Sequence, residues 1–96
     1  MAADGFENRD IMRRALNLPG VVTHCIIGDS SDAFQARVHA MMEDIAPDGR
    51  LVRHSYTAST NGRYISYRYD IYHETLESVE EVYRRARTLE GVRFML

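Results

Sequence analysis

The chain has 96 residues, 45% hydrophobic and 27% charged, which is the length of one domain that buries roughly 60–65% of its unfolded surface and excludes wholesale disorder. Its net charge of −2, with no basic tail or block, lacks the electrostatic footprint of a nucleic-acid or membrane-surface binder. All 12 basic residues are scattered arginines, and the single cysteine, Cys25, has no partner for an internal disulfide, which suits a reducing compartment.

Residues 1–18 read as a polar leader, partly disordered or a short helix. In it Ile11, Met12, Ala15 and Leu16 are spaced for one or two amphipathic turns before Pro19-Gly20 interrupts. "MAADGFENRD" has the wrong charge and polarity for a signal peptide, and no apolar run approaches membrane-spanning length, so a cytoplasmic location is expected. Residues 19–96 form the domain. "VVTHCIIG", Val21 to Gly28, is a β-branched run ended by glycine and reads as a strand. A helix follows in "DSSDAFQARVHAMMEDIAPDG". Ser30 or Ser31 can cap its first amides, Asp32 suits the positive end of the dipole, and Phe34, Val38, Met41, Met42 and Ile45 recur at helical spacing until Pro47-Asp48-Gly49.

"RLVRHSYTAS" and "RYISYRYDIYH" are two strands around Asn61-Gly62, a strong hairpin signal. Thr75 then caps a second helix with an apolar stripe of Leu76, Val79, Val82, Tyr83, Ala86 and Leu89, ended by Gly91. Glu77, Glu80 and Glu81 precede Arg84, Arg85 and Arg87, an order that matches the helix dipole and predicts Glu80–Arg84 and Glu81–Arg85 pairs on a solvated face. "VRFML" supplies the last strand. The order βαββαβ predicts an α+β, ferredoxin-like fold, with two helices packed on one face of a four-stranded antiparallel sheet.

A two-residue turn at Asn61-Gly62 places Ala58 opposite Ile65, Tyr56 opposite Tyr67, His54 opposite Tyr69 and Val52 opposite Ile71, all on the helix-covered face. Arg53 opposite Asp70, Ser55 opposite Arg68, Thr57 opposite Ser66 and Leu51 opposite Tyr72 then share the open face. Tyr67 and Tyr69 are therefore expected in the core, with hydroxyls needing partners at the sheet margin, while Tyr64 and Tyr72 face outward.

This division bears on function. An RNA-binding module of the same topology needs aromatics on the open face of both central strands, whereas Thr23, Cys25 and Ser66 occupy those places, so no nucleic acid is expected and RNA binding is the weakest alternative. His24 and Cys25 are adjacent on a strand and point to opposite sides, which rules them out as a thiolate–imidazole pair. His39, His54 and His73 lack metal-ligand spacing and read as packed or surface residues, with a hydrogen bond expected between His54 and Tyr69. No catalytic residue, metal site or cofactor is expected, and no membrane partner. The charged cluster of interest is Asp70 with Arg53, Arg68 and Arg93, which as a solvated cross-strand ion pair needs no function.

"LPGVVTHCIIG", "STNGRYISYRYDIY" and "GVRFML" resemble, in order and spacing, the YbeD-like family of small uncharacterised bacterial proteins, over residues 18–96. Pro19, Gly28, Ser59, Gly62, Tyr64, Ser66, Ile71, Val92, Arg93 and Leu96 match that family's pattern. Cys25 stands where a lysine is usual, His24 where an apolar or aromatic residue is common, and Tyr67 and Tyr69 where smaller residues are usual. The resemblance implies a ferredoxin-like fold similar to ACT regulatory domains, which bind amino acids beside the first strand–helix loop, and implies no activity.

Two readings follow. One is a non-catalytic regulatory or adaptor module that contacts a protein partner, or itself, through an open sheet face of Arg53, Tyr64, Ser66, Arg68, Asp70, Tyr72 and Arg93. The alternative is an ACT-like sensor of an amino acid or other small carboxylate held at Gly28, Asp29, Ser30 and Ser31, where Asp29 and Asp32 would oppose the anion. The strand "RLVRHSYTAS" also offers an edge to another chain, with Arg50 and Arg53 as charges that discourage pairing.

Overall fold

Seven elements follow one another: α1 (Ala2–Ala15), β1 (Gly20–Asp29), α2 (Asp32–Ile45), β2 (Leu51–Ala58), β3 (Tyr64–His73), α3 (Leu76–Ala86) and β4 (Val92–Met95). The structure is a computed structural model that describes residues 2–47 and 49–95; Asp48 of the helix stop and Leu96 of the family pattern lie outside the described residues. Strands run in the order β2-β3-β1-β4, each pair antiparallel, and the ferredoxin-like α+β fold is as the sequence implies.

Local chemistry sets the helix starts. Ser31 is the N-cap of α2, its Oγ accepting from the Phe34 amide at 3.1 Å, and Thr75 caps α3 by accepting from Ser78 N at 3.3 Å. The stripes then bury Phe34, Val38, Met41 and Met42 from α2, and Leu76, Val79, Val82 and Ala86 from α3, against Ile26, Tyr67, Tyr69 and Ile71 of the sheet. α3 ends at Ala86, before the expected glycine; Gly91, at φ 103°, instead turns the chain into β4.

Gly28 has a packing role besides ending a strand. A Cβ there would stand 2.3 Å from the Phe34 ring and 2.8 Å from the Gly91 carbonyl oxygen. Its absence lets the fully buried Phe34 lie across β1 and meet Tyr67 edge to face, 5.5 Å between centroids.

The leader is a helix of 14 residues, longer than its pattern suggests. Arg9 fastens it to α3, reaching both carboxylate oxygens of Glu80 at 2.8 and 2.6 Å and Glu77 at 2.8 Å. That contact corrects the expected α3 pairs: Glu80 faces Arg9, Glu81 pairs with Arg84, and Arg85 reaches across to Asp44 of α2 at 2.7 Å.

The hairpin keeps its register from Arg53–Asp70 to Ala58–Ile65 but differs at both ends. Ser59 pairs with Tyr64, and the Gly62 amide donates to the Ser59 carbonyl at 3.0 Å, so the link is a longer turn over Thr60–Arg63 with Gly62 at φ 72°. At the other end a β-bulge sets Leu51 opposite Ile71 and leaves Val52 unpaired, while the Arg50 carbonyl accepts from Tyr72. The bulge gives the core the larger Leu51 and leaves Val52 58% exposed. Tyr67 and Tyr69 are core as expected; their β2 partners Tyr56 and His54 are exposed, because β2 is the outer strand.

Candidate functional site: the open sheet face

Alternation along the strands sends Thr23, Cys25 and Ile27 of β1, and Ser66, Arg68 and Asp70 of β3, to the face away from the helices. Asp70 is the anchor. Its carboxylate is 10% exposed, accepts from Thr23 Oγ1 at 2.7 Å, and lies 3.5 Å from Arg53 Nε and 3.7 Å from Arg68 Nε. The Thr23 hydrogen bond, followed by the charges of Arg68 and Arg53, holds the Asp70 carboxyl below the usual carboxylate range. Both guanidinium groups remain largely in solvent, so each keeps N–H donors for another acceptor. With Ser55 they line a depression of about 300 Å³.

A second hollow of about 310 Å³ lies toward the hairpin end, lined by Ile27, Thr57, Ala58, Tyr64 and Ser66. Between the hollows, Cys25 Sγ stands 3.2 Å from Ser66 Oγ, at the place where the YbeD-like pattern has a lysine. The rim is apolar: Val21 is 52% exposed, Phe94 57%, Tyr64 39% and Tyr72 37%. Phe94 is a member of the face that sequence reasoning missed. A bulge in the β1–β4 pairing sets it opposite Ile27, and nothing in the short terminal segment announces that irregularity.

Arg93 does not join Asp70. Its Nε donates to Asp29 Oδ1 at 3.0 Å, at the far end of the face, and so ties one candidate set to the other. In the strand–helix loop, the backbone amides expected to hold a carboxylate already have acceptors. Asp29 N donates to Gly91 O at 3.1 Å, Ser30 N to Arg63 O at 3.3 Å and Ser31 N to Asp29 O at 3.1 Å, while the Ser31 hydroxyl caps α2. Gly28 is filled against Phe34.

Two histidine arrangements were not legible from spacing. His24 and His73 are each 1% exposed and share one hydrogen bond, Nε2 to Nε2 at 2.8 Å, with His73 Nδ1 2.7 Å from Ser78 Oγ. Burial, then the neighbouring His73, lowers the His24 pKa to about 4; burial and the charge of Arg50 lower that of His73. On α2, His39 sits 2.8 Å from Glu43 and 3.4 Å from the Tyr69 hydroxyl, beside His54. His54 stacks on Tyr69 in place of the expected hydrogen bond, and burial pushes the Tyr69 phenol up to about 12. Tyr67 finds its margin partner in the Asp29 carbonyl at 3.4 Å. Among the described residues no group of three or more His, Cys, Asp or Glu could hold a metal ion, and no helix is long and apolar enough to cross a membrane.

A family model described as a protein of unknown function (DUF493) matches residues 14–96. The chain belongs to that family. A UPF0250 protein of Shewanella piezotolerans (strain WP3 / JCM 13877) is 31% identical over 81 residues, covering 84% of this chain and 90% of the relative. The resemblance to small YbeD-like bacterial proteins is thereby borne out, and the family is one whose function is unknown.

Proposed function

We propose that the protein is a non-catalytic adaptor or regulatory module of the cytoplasm that recognises another protein through its open sheet face. The carrying observation is the make-up of that face: exposed Val21, Tyr64, Tyr72 and Phe94 accompany the Arg53–Asp70–Arg68 row, whose carboxylate is held by Thr23. Aromatic and arginine side chains dominate interface energetics. The chemistry suits a partner that offers an acidic side chain to Arg53 and Arg68, with apolar groups beside it for Tyr64 and Phe94. The small-carboxylate reading has less support, because the loop amides it needs are hydrogen-bonded within the protein.

Affinity capture from cell extract with three forms of the domain tests the proposal: wild type, Arg68→Glu on the open face, and Arg84→Glu on α3. A specific protein held by the wild type and by Arg84→Glu, and lost with Arg68→Glu while circular dichroism is unchanged, is the expected result. Identical capture by all three forms would overturn it.

A further inference from the structure

The outer strand β2 is exposed on both sides. From Val52 to Ala58 every residue is exposed, including Tyr56 at 57% on the helix side. Long edge strands invite pairing with another chain, and proteins blunt them with charged side chains, lysine above all, with proline or with a bulge. β2 has neither lysine nor proline, and its bulge sits at its very start. Its one formal charge is Arg53.

Hydrogen-bond phase limits what can pair there. Ser59 N donates to Tyr64 O at 2.9 Å, so Ser59, Thr57, Ser55 and Arg53 turn their backbone groups toward β3. His54, Tyr56 and Ala58 therefore present theirs to the free edge. An antiparallel two-fold axis must pass through a residue, because an axis between two residues sets outward groups against inward ones. The middle of the outward set, and of the regular run Arg53–Ser59, is Tyr56.

We propose that β2 is the seam of a homodimer, two copies pairing antiparallel about an axis at Tyr56 and joining their sheets into one. His54 then faces the partner's Ala58, Ser55 the partner's Thr57, and Arg53 the partner's Ser59, so all outward backbone groups of the run are satisfied and no like charges oppose. The exposed Tyr56 ring meets its own copy at the axis. The seam runs along one margin of the open face of the proposed function, sharing Arg53 and Ser55 with it, and leaves the rest of that face uncovered on each copy.

The 96-residue chain is run in sedimentation equilibrium from micromolar to millimolar concentration. A mass twice that of the chain is expected, and Tyr56→Pro, which deletes an outward amide and leaves the β3 ladder intact, should return it to a monomer. Register is read by oxidative cross-linking in a Cys25→Ser background. Ser55 and the partner's Thr57 form a close pair at about 4.5 Å between Cα atoms, within the disulfide range of about 4.4–6.8 Å. A mixture of Ser55→Cys and Thr57→Cys proteins should therefore link to each other, while Ser55→Cys alone, with about 8 Å to its own copy, should not. A monomer at every concentration overturns the proposal, as does a dimer in which the mixture gives no cross-link. If Tyr56→Pro fails to fold, the cysteine mixture decides.

Discussion

Mild acid should destabilise this domain through the buried histidine pair. An unfolded histidine titrates near 6.5, whereas His24 in the fold titrates at about 4, because burial and the adjacent His73 resist a second positive charge. As pH falls below 6.5 the unfolded chain takes up a proton that the folded chain refuses, so stability is complete above 6.5, declines toward 4 and loses no more from this group below that. At about 1.36 kcal/mol per pH unit, the full loss from His24 is about 3 kcal/mol, and about 2 kcal/mol is gone by pH 5. His73 moves in the same direction and adds to it. Urea unfolding followed by circular dichroism at pH 7 and pH 5 reads this directly. With a slope of about 1 kcal/mol per molar urea, the midpoint should drop by about 2 M. His24→Phe should be less stable at pH 7, since His73 loses its partner, yet lose much less between pH 7 and 5. Equal losses in both proteins would show that His24 does not set the acid sensitivity, as would a His24 imidazole that titrates near 6.5 by NMR.

Other outcomes follow from the same contacts. Asp70 works in a lower window: its carboxyl is held below the usual range, so its contribution is present above about 3.8 and is lost as pH falls further. Asp70→Asn should therefore flatten the stability profile below pH 4 while the histidine step persists, somewhat deepened because the Asp70 charge favours protonated His24; a profile still falling as steeply below pH 4 contradicts the role given to Thr23 and the arginines. Gly28→Ala drives a methyl into Phe34 and should cost about 1–3 kcal/mol, seen as a lower thermal midpoint, and an unchanged midpoint would show that Phe34 can move aside. Arg9→Ala frees α1 from Glu77 and Glu80, so hydrogen exchange should quicken in residues 9–15 and stay slow in β1 and β3. Unaltered exchange in α1 would mean that the ion pairs do not hold it.

Periodicity and turn chemistry made most of this fold legible. The Phe34–Met42 and Leu76–Ala86 stripes, the Ser31 and Thr75 caps and the alternation of Tyr67 and Tyr69 are local signals, and they fix which side of each element is buried. The departures arise where one residue's placement depends on a distant segment. The bulge at Val52 reflects competition between Leu51 and Val52 for the core, and the Phe94 bulge depends on how β4 meets Gly28. His24 and His73 are 49 positions apart, and only the β1–β3 register brings them together. For the open face, the Arg53–Asp70–Arg68 row followed from hairpin register, whereas Thr23, which anchors Asp70, comes from a strand whose pairing the hairpin does not determine. Helix starts offer amides, so the sequence makes Gly28–Ser31 a candidate anion site; Gly91 and Arg63, remote in sequence, supply the carbonyls that occupy two of those amides.

Photo-cross-linking in living cells reads whether the open sheet face meets a protein partner. A photoreactive amino acid is placed at Tyr72 or Phe94 on that face and at Arg84 on α3. A discrete adduct with the same foreign protein is expected from the two face positions, none from Arg84, and it should disappear when Arg68→Glu is added. Adducts from Arg84 alone, or none from Tyr72 and Phe94 in a folded and expressed protein, would contradict a partner on that face.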